Sequence, residues 1–255
     1  MKKFFPVEIL ATEPYSFIIG YPSATKRQIQ SRVVELKKLG VDGVSFQGPI
    51  LIGKIPVLGK GYTGVVILAK RNGKKVALKI RRTDSPRKTM KDESILLKKA
   101  NSVKVGPLLI DSSNNFLIMQ YLNGKKIYDW INHLEKKNNV DRLKGLIRKI
   151  LQDCYRLDKL GLDHGELSNI TKHVIVGRSA TIIDFESASL KRKVSNVTSA
   201  TQAILIGSGI AKITRSFYRL PIKSTIIKVL REYKATQTQE SFDKVLEVLR
   251  LGKGN

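Results

Sequence analysis

A pair of strand-like segments joined by a two-residue turn constrains the fold of this chain more than any other feature. The segments are TGVVILAKR and KKVALKIRR, which contain many β-branched residues, and Asn72-Gly73 lies between them. An Asn-Gly pair favours the tight turn of an antiparallel hairpin, because both turn positions need a positive φ. A further β-like run, KIPVLGKG, precedes the pair. The sequence therefore predicts a β-sheet over about residues 50–80.

The rest of the chain has mainly helical patterns, with a few short strands. Apolar residues recur at helical spacing between 141 and 160, and other helices are predicted at 23–39, at 87–101 and beyond about 195. Ser23 is the expected N-cap of the first helix. Short strands are predicted at VGPLLIDSSN and NFLIMQYL, and a hairpin at HVIV and ATIID. A strand-rich half followed by a helix-rich half predicts an α+β fold in two lobes.

The charge of the chain is strongly positive and unevenly distributed. The net charge is +26, from 47 basic and 21 acidic residues. Residues 51–100 hold 14 basic and 3 acidic residues, whereas residues 151–200 are nearly neutral. Such a charge attracts polyanions: nucleic acid, a nucleotide, an acidic partner or a membrane surface. Contact with RNA or a ribonucleoprotein is one interpretation, and a solvated basic surface is the other.

Cysteine content and hydropathy indicate a cytoplasmic protein. Cys154 is the single cysteine, which excludes an internal disulfide and fits a reducing compartment. Residues 194–211 lack charge, but 7 of these 18 residues are Ser, Thr, Asn or Gln. We therefore expect no membrane span and no membrane partner.

The glycine-rich segment LGKGYTGVV matches the spacing G-x-G-x-x-G-x-V through Gly59, Gly61, Gly64 and Val66. A dinucleotide fingerprint would need a helix directly afterwards, whereas a β-branched strand follows here. The spacing then indicates a hairpin whose backbone N–H groups lie over phosphates, or glycines that only make a tight turn.

A lysine and an acid are expected to pair beside this hairpin. Lys79 lies among apolar residues of the next strand, so its ammonium needs an anionic partner. Glu93 is the preferred acid, because Leu96 and Leu97 follow it at i+3 and i+4 on the face that packs. Asp92 is the alternative.

The stretch DHGELSNITKHVIVGRSATIIDFE concentrates acids in a basic chain. It holds four of the 21 carboxylates and two of the three histidines. Acids that cap helices and fill turns could account for this. The alternative is a cation site.

Five motifs together resemble the protein kinase superfamily. GKGYTGVV, VALKI, MQYLNG, HGEL and IIDFE occur in that family's order over about residues 50–190. HGEL is similar to the H-G-D-L catalytic loop of atypical kinases, including the RIO kinases and the small archaeal kinase of tRNA modification. Residues 1–50 contain none of these motifs, and we expect them to form an extension with an extra helix that packs on the small lobe or binds a partner. The resemblance implies a β-rich ATP-binding N-lobe at 51–122 and a reduced helical C-lobe at 123–255.

The resemblance also implies a site for ATP with Mg²⁺ or Mn²⁺. Asp184 would hold the metal ion and Glu166, where the family has aspartate, would orient the acceptor hydroxyl. The family's asparagine ligand falls on Thr171, with Asn169 and His173 as alternatives; His173 is preferred because HVIV after it matches the strand that normally follows. The nucleotide would contact the following residues: Gly59, Gly61, Gly64, Val66, Ala77, Lys79, Glu93, Met119, Gln120 and Leu122.

The expected function is that of an atypical serine/threonine kinase acting on an unidentified protein. The alternatives are a small-molecule kinase and a catalytically weak or inactive nucleotide-binding scaffold that acts on RNA. The departure at Glu166 and the missing asparagine favour the scaffold, and DFE with no A-P-E segment after it favours the small-molecule kinase.

Overall fold

The computed structural model describes residues 3–135, 139–207 and 209–252, and it is an α+β structure, as predicted. The chain forms two compact units. Unit 1 contains residues up to 98 together with 107–122, and unit 2 contains 99–106 and the residues from 123 onward. No helix within the described residues has the length and apolar character to cross a membrane.

The centre of unit 1 is the hairpin that the sequence predicts. Its strands are β6 (Gly64–Arg71) and β7 (Lys74–Arg81), which pair antiparallel along their whole length. Asn72 and Gly73 have φ values of 50° and 73°, the left-handed backbone that this turn requires. The hairpin is confirmed, and the strand after the glycine-rich segment excludes the dinucleotide fingerprint.

Short strands extend this sheet on both sides, all of them antiparallel. These strands are β1 (Phe5–Pro6), β2 (Val41–Ser45), β5 (Gly59–Lys60), β8 (Leu109–Ser112) and β9 (Phe116–Gln120). The sheet order is β1, β2, β6, β7, β9, β8, and β5 also pairs with β6. Strands β3 (Ile50–Ile52) and β4 (Ile55–Val57) form a separate hairpin.

Residues before 50 contribute two of these strands as well as the predicted helix. A 3₁₀ helix (Val7–Ala11) and α1 (Ser16–Ile19) precede α2 (Lys26–Lys38). The prediction of Ser23 as N-cap is wrong: Thr25 caps α2 through a reciprocal capping box with Gln28. The buried face of α2 places Leu36 in the core of unit 1.

Helix α3 (Lys91–Ser102) lies between β7 and β8 in the chain. Leu97 is buried, whereas Ile95, the first of three consecutive apolar residues, is 56% exposed. The packing face of α3 is therefore narrower than its three consecutive apolar residues suggest.

Unit 2 is built around α5 (Val140–Leu160), which the helical spacing predicts almost to the residue. Its apolar stripe is buried, and Gly161 ends it in the left-handed conformation at φ 74°. The other helices are α4 (Ile127–Asn132), a 3₁₀ helix (Leu167–Asn169), α6 (Ile170–His173), α7 (Asn196–Thr201), a π-helix (Gln202–Ile206), α8 (Ile210–Arg215), α9 (Lys223–Thr236) and α10 (Gln239–Val248).

The predicted second hairpin is present in unit 2. Strands β11 (Val174–Val176) and β12 (Ala180–Ile182) pair antiparallel, and β10 (Lys125–Lys126) pairs with β11. The hairpin fixes two short segments beside it, because His173 precedes β11 directly and Asp184 follows β12 by two residues. The Ile183 N–H donates to the His173 carbonyl over 2.9 Å and holds these segments together.

Candidate functional site

In unit 1, Lys79 and Glu93 form a buried ion pair. The Lys79 ammonium donates to both carboxylate oxygens of Glu93 at 2.9 Å, and the two side chains are only 5% and 4% exposed. Lys79 projects from β7 and Glu93 from the first turn of α3. Asp92, the alternative acid, is exposed. The apolar flanks of Lys79 were the signal that predicted an anionic partner.

Gly64 allows Lys79 to lie close to the backbone. A Cβ atom at position 64 would lie 3.0 Å from both the Ile80 carbonyl oxygen and Cγ of Lys79. Gly59 is less constrained, since a Cβ there would meet only Val66, at 3.9 Å. The glycine-rich segment turns back on itself, and the Gly61 N–H donates to the Gly64 carbonyl over 2.8 Å.

Several predicted nucleotide contacts share one face of the sheet. Val66 pairs with Lys79, and Ala77 pairs with Met119. Alternation along each strand then places these four side chains on the same face.

Two further predicted nucleotide contacts, Gln120 and Leu122, lie at the end of β9 and just after it. The Gln120 N–H donates to the Leu108 carbonyl at 2.8 Å, so the sheet already uses this donor. Leu122 lies two residues after β9, at the end of this part of unit 1.

In unit 2, three predicted site residues converge. Ligand atoms of Glu166, His173 and Asp184 all lie within 4.8 Å of one another, and Glu166 Oε2 is 3.5 Å from His173 Nε2. His173 is buried and the two carboxylates are half-buried. Two carboxylates and an imidazole form a donor set that suits a divalent cation.

The backbone at Asp184 adopts a conformation that is unusual for a residue with a side chain. Its φ is 70°, in the left-handed region, which costs free energy and persists only where neighbours enforce it. Phe185, fully buried beside it, contributes that constraint through an edge contact with the ring of His164 at 5.1 Å.

His164 is a packing and hydrogen-bonding residue. It is completely buried, and its Nε2 lies 3.1 Å from the Ile183 carbonyl oxygen, so Nε2 carries the proton and donates. Burial lowers the pKa of His164 to about 4, so the ring is neutral near neutral pH. His164 therefore fixes the segment before Asp184 without adding positive charge.

Asn169 and Thr171, the alternatives to His173, contact each other. The Thr171 hydroxyl donates to the Asn169 side-chain oxygen at 3.0 Å. Both residues line a cavity of about 490 Å³ in unit 2. The Nδ1 atom of His173 is buried and has no hydrogen-bond partner within the described residues.

The acids of the stretch 163–186 have different roles: one serves the local structure, whereas others are placed where they could hold a cation. Asp163 accepts from the Arg192 guanidinium at 2.9 Å and from the Ser195 N–H at 3.2 Å, so it serves the loop structure. Gly165 is required nearby, because its φ is 87° and a Cβ would lie 2.2 Å from the Arg192 guanidinium. Only part of the acid-rich stretch is therefore available to a cation.

Lys126 is a candidate that the sequence did not reveal. Its ammonium donates to the Lys172 carbonyl, and it lines the same cavity as Asn169 and Thr171. Burial lowers the pKa of Lys126, and the charge of Asp184 opposes that shift. Lys126 is one of 47 basic residues, and nothing in the sequence apart from its position shortly after Gly124 distinguishes it from the others.

The fold and these two sites define an α+β protein with a buried lysine–glutamate pair in one unit and a carboxylate–imidazole cluster in the other. No family model matches the chain. A segment of 116 residues, 45% of the chain, is 33% identical to the uncharacterized protein MJ1211 of Methanocaldococcus jannaschii and covers 94% of that protein. The chain therefore belongs to the same family as MJ1211.

Proposed function

We propose that this protein is an ATP-dependent phosphotransferase, an atypical serine/threonine kinase that transfers the γ-phosphate of Mg-ATP or Mn-ATP to a hydroxyl. The convergence of Glu166, His173 and Asp184 is the observation that carries the proposal. Phosphoryl transfer needs a divalent cation on the phosphates and a group that orients the acceptor, and this cluster offers both. A two-lobed kinase-like architecture is part of the proposal.

Unit 1 supplies the nucleotide contacts in this proposal. Glu93 holds the Lys79 ammonium in a fixed position from which it can bind phosphate oxygens. The apolar face with Val66, Ala77 and Met119 receives the base, and the glycine-rich hairpin covers the phosphates. Backbone groups at Gln120 and Leu122 contact the base edge, apart from the Gln120 N–H, which donates to the Leu108 carbonyl.

Unit 2 supplies the metal ligands and the catalytic carboxylate. Asp184 and His173 would hold the cation, which when bound neutralises charge on the phosphates. The carboxylate oxygens of Asp184 suit Mg²⁺, and the imidazole of His173 would shift the metal preference toward Mn²⁺. Glu166 accepts a hydrogen bond from the acceptor hydroxyl and orients it for attack.

The cavity beside the segment 168–171 supports an acceptor site. Its volume of about 490 Å³ falls within the usual range for small-ligand sites, about 300–1,000 Å³. A serine or threonine side chain enters such a cavity easily, and a small molecule of moderate size also fits. This observation keeps the small-molecule kinase as a second candidate, with Lys126 as the contact for an acidic group on the acceptor.

Labelled ATP tests the proposal directly. The full chain is incubated with γ-labelled ATP and Mg²⁺ or Mn²⁺, alone and with protein and small-molecule acceptors. We expect label on the protein or an acceptor. Absence of transfer with both metals, while ATP still binds, would contradict the kinase and favour the nucleotide-binding scaffold.

Three variants test the assigned roles. Asp184→Asn should lower metal-dependent ATP binding and abolish transfer, whereas Glu166→Gln should preserve binding and slow transfer by about 10²–10⁴-fold. His173→Asn should shift the metal preference toward Mg²⁺. His133→Asn, at an exposed histidine of unit 2, is the control and should behave as the parent. Equal loss of ATP binding in Glu166→Gln and Asp184→Asn would make Glu166 a metal ligand and contradict these roles.

A further inference from the structure

A second cavity, of about 420 Å³, lies in unit 1 and is formed largely by residues from the first 56 of the chain. No motif in the sequence assigned a function to this part. Aromatic rings, lysines and one amide line the cavity; the residues that matter are Lys3, Phe5, Tyr15, Phe46, Gln47 and Lys54.

Three aromatic rings form one wall. Tyr15 and Phe46 are stacked with their ring centres 4.4 Å apart, and the ring of Phe5 lies 5.7 Å from Tyr15 and 6.1 Å from Phe46. All three are only partly buried. The Lys3 ammonium lies over the Phe5 ring, 4.9 Å from its centre, so this lysine contacts the aromatic wall directly. The wall thus offers accessible ring surface to a flat ligand.

The remaining wall carries positive charge and a hydrogen-bond donor. Lys3 and Lys54 are exposed, and no acid is among the lining residues. Nε2 of Gln47 is buried and has no hydrogen-bond acceptor within the part of the chain that the structure describes. A buried amide donor without an acceptor costs free energy unless a ligand supplies one.

The cavity is distinct from the proposed nucleotide site. Phe5 pairs with Val44, and Val44 pairs with Ala69 in β6. Lys79 pairs with Val66, which has the opposite parity to Ala69 along β6. Because successive side chains alternate between faces of a sheet, Phe5 and Lys79 lie on opposite faces.

We infer that this cavity binds a base of single-stranded RNA, with the neighbouring phosphates on Lys3 and Lys54. Stacking on aromatic rings, cations along the backbone and an amide donor to a base edge are the contacts by which proteins hold unpaired bases. The charge of residues 51–100, 14 basic against 3 acidic, supports a polyanion rather than an isolated nucleoside. An acidic peptide would satisfy the lysines but would leave the ring surface and the Gln47 amide without a matching flat partner.

Binding of a short fluorescent single-stranded RNA to the full chain tests the inference by anisotropy. Phe46→Leu and Phe5→Leu should each weaken binding by about tenfold, because stacking on each ring is lost. Phe17→Leu, at an exposed ring outside the residues that line the cavity, is the aromatic control and should bind as the parent. Thermal unfolding of each variant checks that the fold persists.

Substitution of lysines separates this site from general charge attraction. Lys54→Gln should weaken RNA binding several-fold more than Lys234→Gln, which removes an exposed lysine from α9 in unit 2. Both positions are exposed, so neither change threatens the fold. Gln47→Met should change the preference among homopolymeric RNAs while leaving the affinity for phosphates in place.

Three competitors decide the nature of the ligand. An abasic strand of the same length should bind more weakly than RNA and should be insensitive to Phe46→Leu. Equal binding of the abasic strand would overturn the inference, because the site would then read phosphates alone. Displacement of RNA by free mononucleotide or by polyglutamate at matched concentrations would also overturn it, in favour of a nucleotide or an acidic protein.

Discussion

Gly64 leaves no space for a side chain beside Lys79, and this has a measurable consequence. In Gly64→Ala the new Cβ would press on the Ile80 carbonyl and on the Lys79 stem at about 3.0 Å. We expect the free energy of unfolding to fall by about 1–3 kcal/mol, as overpacking does, and the affinity for ATP to fall with it. Urea unfolding and nucleotide titration measure the two effects.

Gly59→Ala is the matched control in the same segment, since its Cβ would meet only Val66 at 3.9 Å. It should leave stability and ATP affinity nearly unchanged. A similar loss in both variants would show that flexibility of the segment, and not space beside Lys79, explains the glycines.

The Lys79–Glu93 pair predicts two effects from one substitution. Lys79→Met removes the ammonium that would bind phosphate, and it also takes that ammonium away from the buried Glu93 carboxylate. We expect phosphoryl transfer to be lost and the free energy of unfolding to fall by about 3–5 kcal/mol. Chemical denaturation and labelled-ATP assays give the two values.

A double variant separates the two effects. Lys79→Met with Glu93→Gln removes the buried charge, so most of the stability should return while transfer stays absent. Recovery of transfer in the double variant would contradict the role given to Lys79.

The sequence could predict residues whose neighbours restrict them, and not those placed by folding alone. Lys79 was identifiable because apolar neighbours on a strand leave an ammonium few options, and Glu93 because two leucines fix its face. Lys126 was not identifiable, because its half-buried position beside β11 depends on the pairing of two distant short strands. The residues around Lys126 in the sequence do not predict that pairing.

At the scale of elements, Asp158 connects three helices of unit 2. Its carboxylate, on α5, accepts from the N–H and side-chain amide of Asn196, from the Val197 N–H and from the Tyr233 hydroxyl. Asn196 and Val197 begin α7, and Tyr233 lies on α9. Burial raises the pKa of Asp158 although these donors act to lower it. The helices are therefore joined through an acid whose ionisation is costly.

Tyr233→Phe should destabilise the protein in a pH-dependent way. The folded-state pKa of Asp158 is above its unfolded value, so its ionisation lowers stability as pH rises between the two values. Loss of the Tyr233 hydroxyl raises the folded pKa further. The loss relative to the parent should be small below pH 3.8, where the carboxyl is protonated in both states, and about 1–2 kcal/mol near neutral pH.

Urea midpoints of parent and variant across this pH range provide the measurement. Tyr62→Phe, at a tyrosine that is 72% exposed, is the control and should show no difference at any pH. A difference for Tyr233→Phe that shrinks toward neutral pH would contradict the coupling to Asp158.

Elements with a clear local pattern were predictable, and strands β1 and β2 were not. The 21 residues of α5 repeat an apolar stripe often enough to identify it, and Thr25 could have been recognised as a cap from Gln28 three positions later. Strands β1 and β2 lack a clear alternation, and β2 includes Asp42 and Gly43. Their place in the sheet follows from tertiary packing, which overrides local preference.

At the scale of the whole molecule, Cys154 reports on unfolding. It is fully buried in α5, and burial raises the pKa of its thiol well above the ordinary value. The thiolate, and not the protonated thiol, attacks a disulfide reagent and displaces the reagent's own thiolate, so the native protein should react very slowly. We expect labelling with a chromogenic disulfide reagent to follow the denaturant transition seen by circular dichroism. Full labelling of the native protein within minutes would contradict the buried position.

The order of elements was predictable for the whole molecule, and the role of the first 50 residues in the sheet was not. A strand-rich half followed by a helix-rich half is visible in composition and periodicity, and the structure is α+β as expected. The sequence predicted a helical extension, because helix α2 gives the only strong pattern in that region. The chain instead also uses this region to complete the sheet of unit 1.

The pairing of β2 with β6 covers an edge at which other molecules could associate. Without residues 1–50, the part of β6 that pairs with β2, residues 68–71, would present unpaired N–H and C=O groups. Exposed strand edges of this kind recruit further strands from other molecules. A shortened chain that begins at residue 51 should form aggregates even at low concentration. It should lose solubility before it loses the proposed phosphoryl transfer.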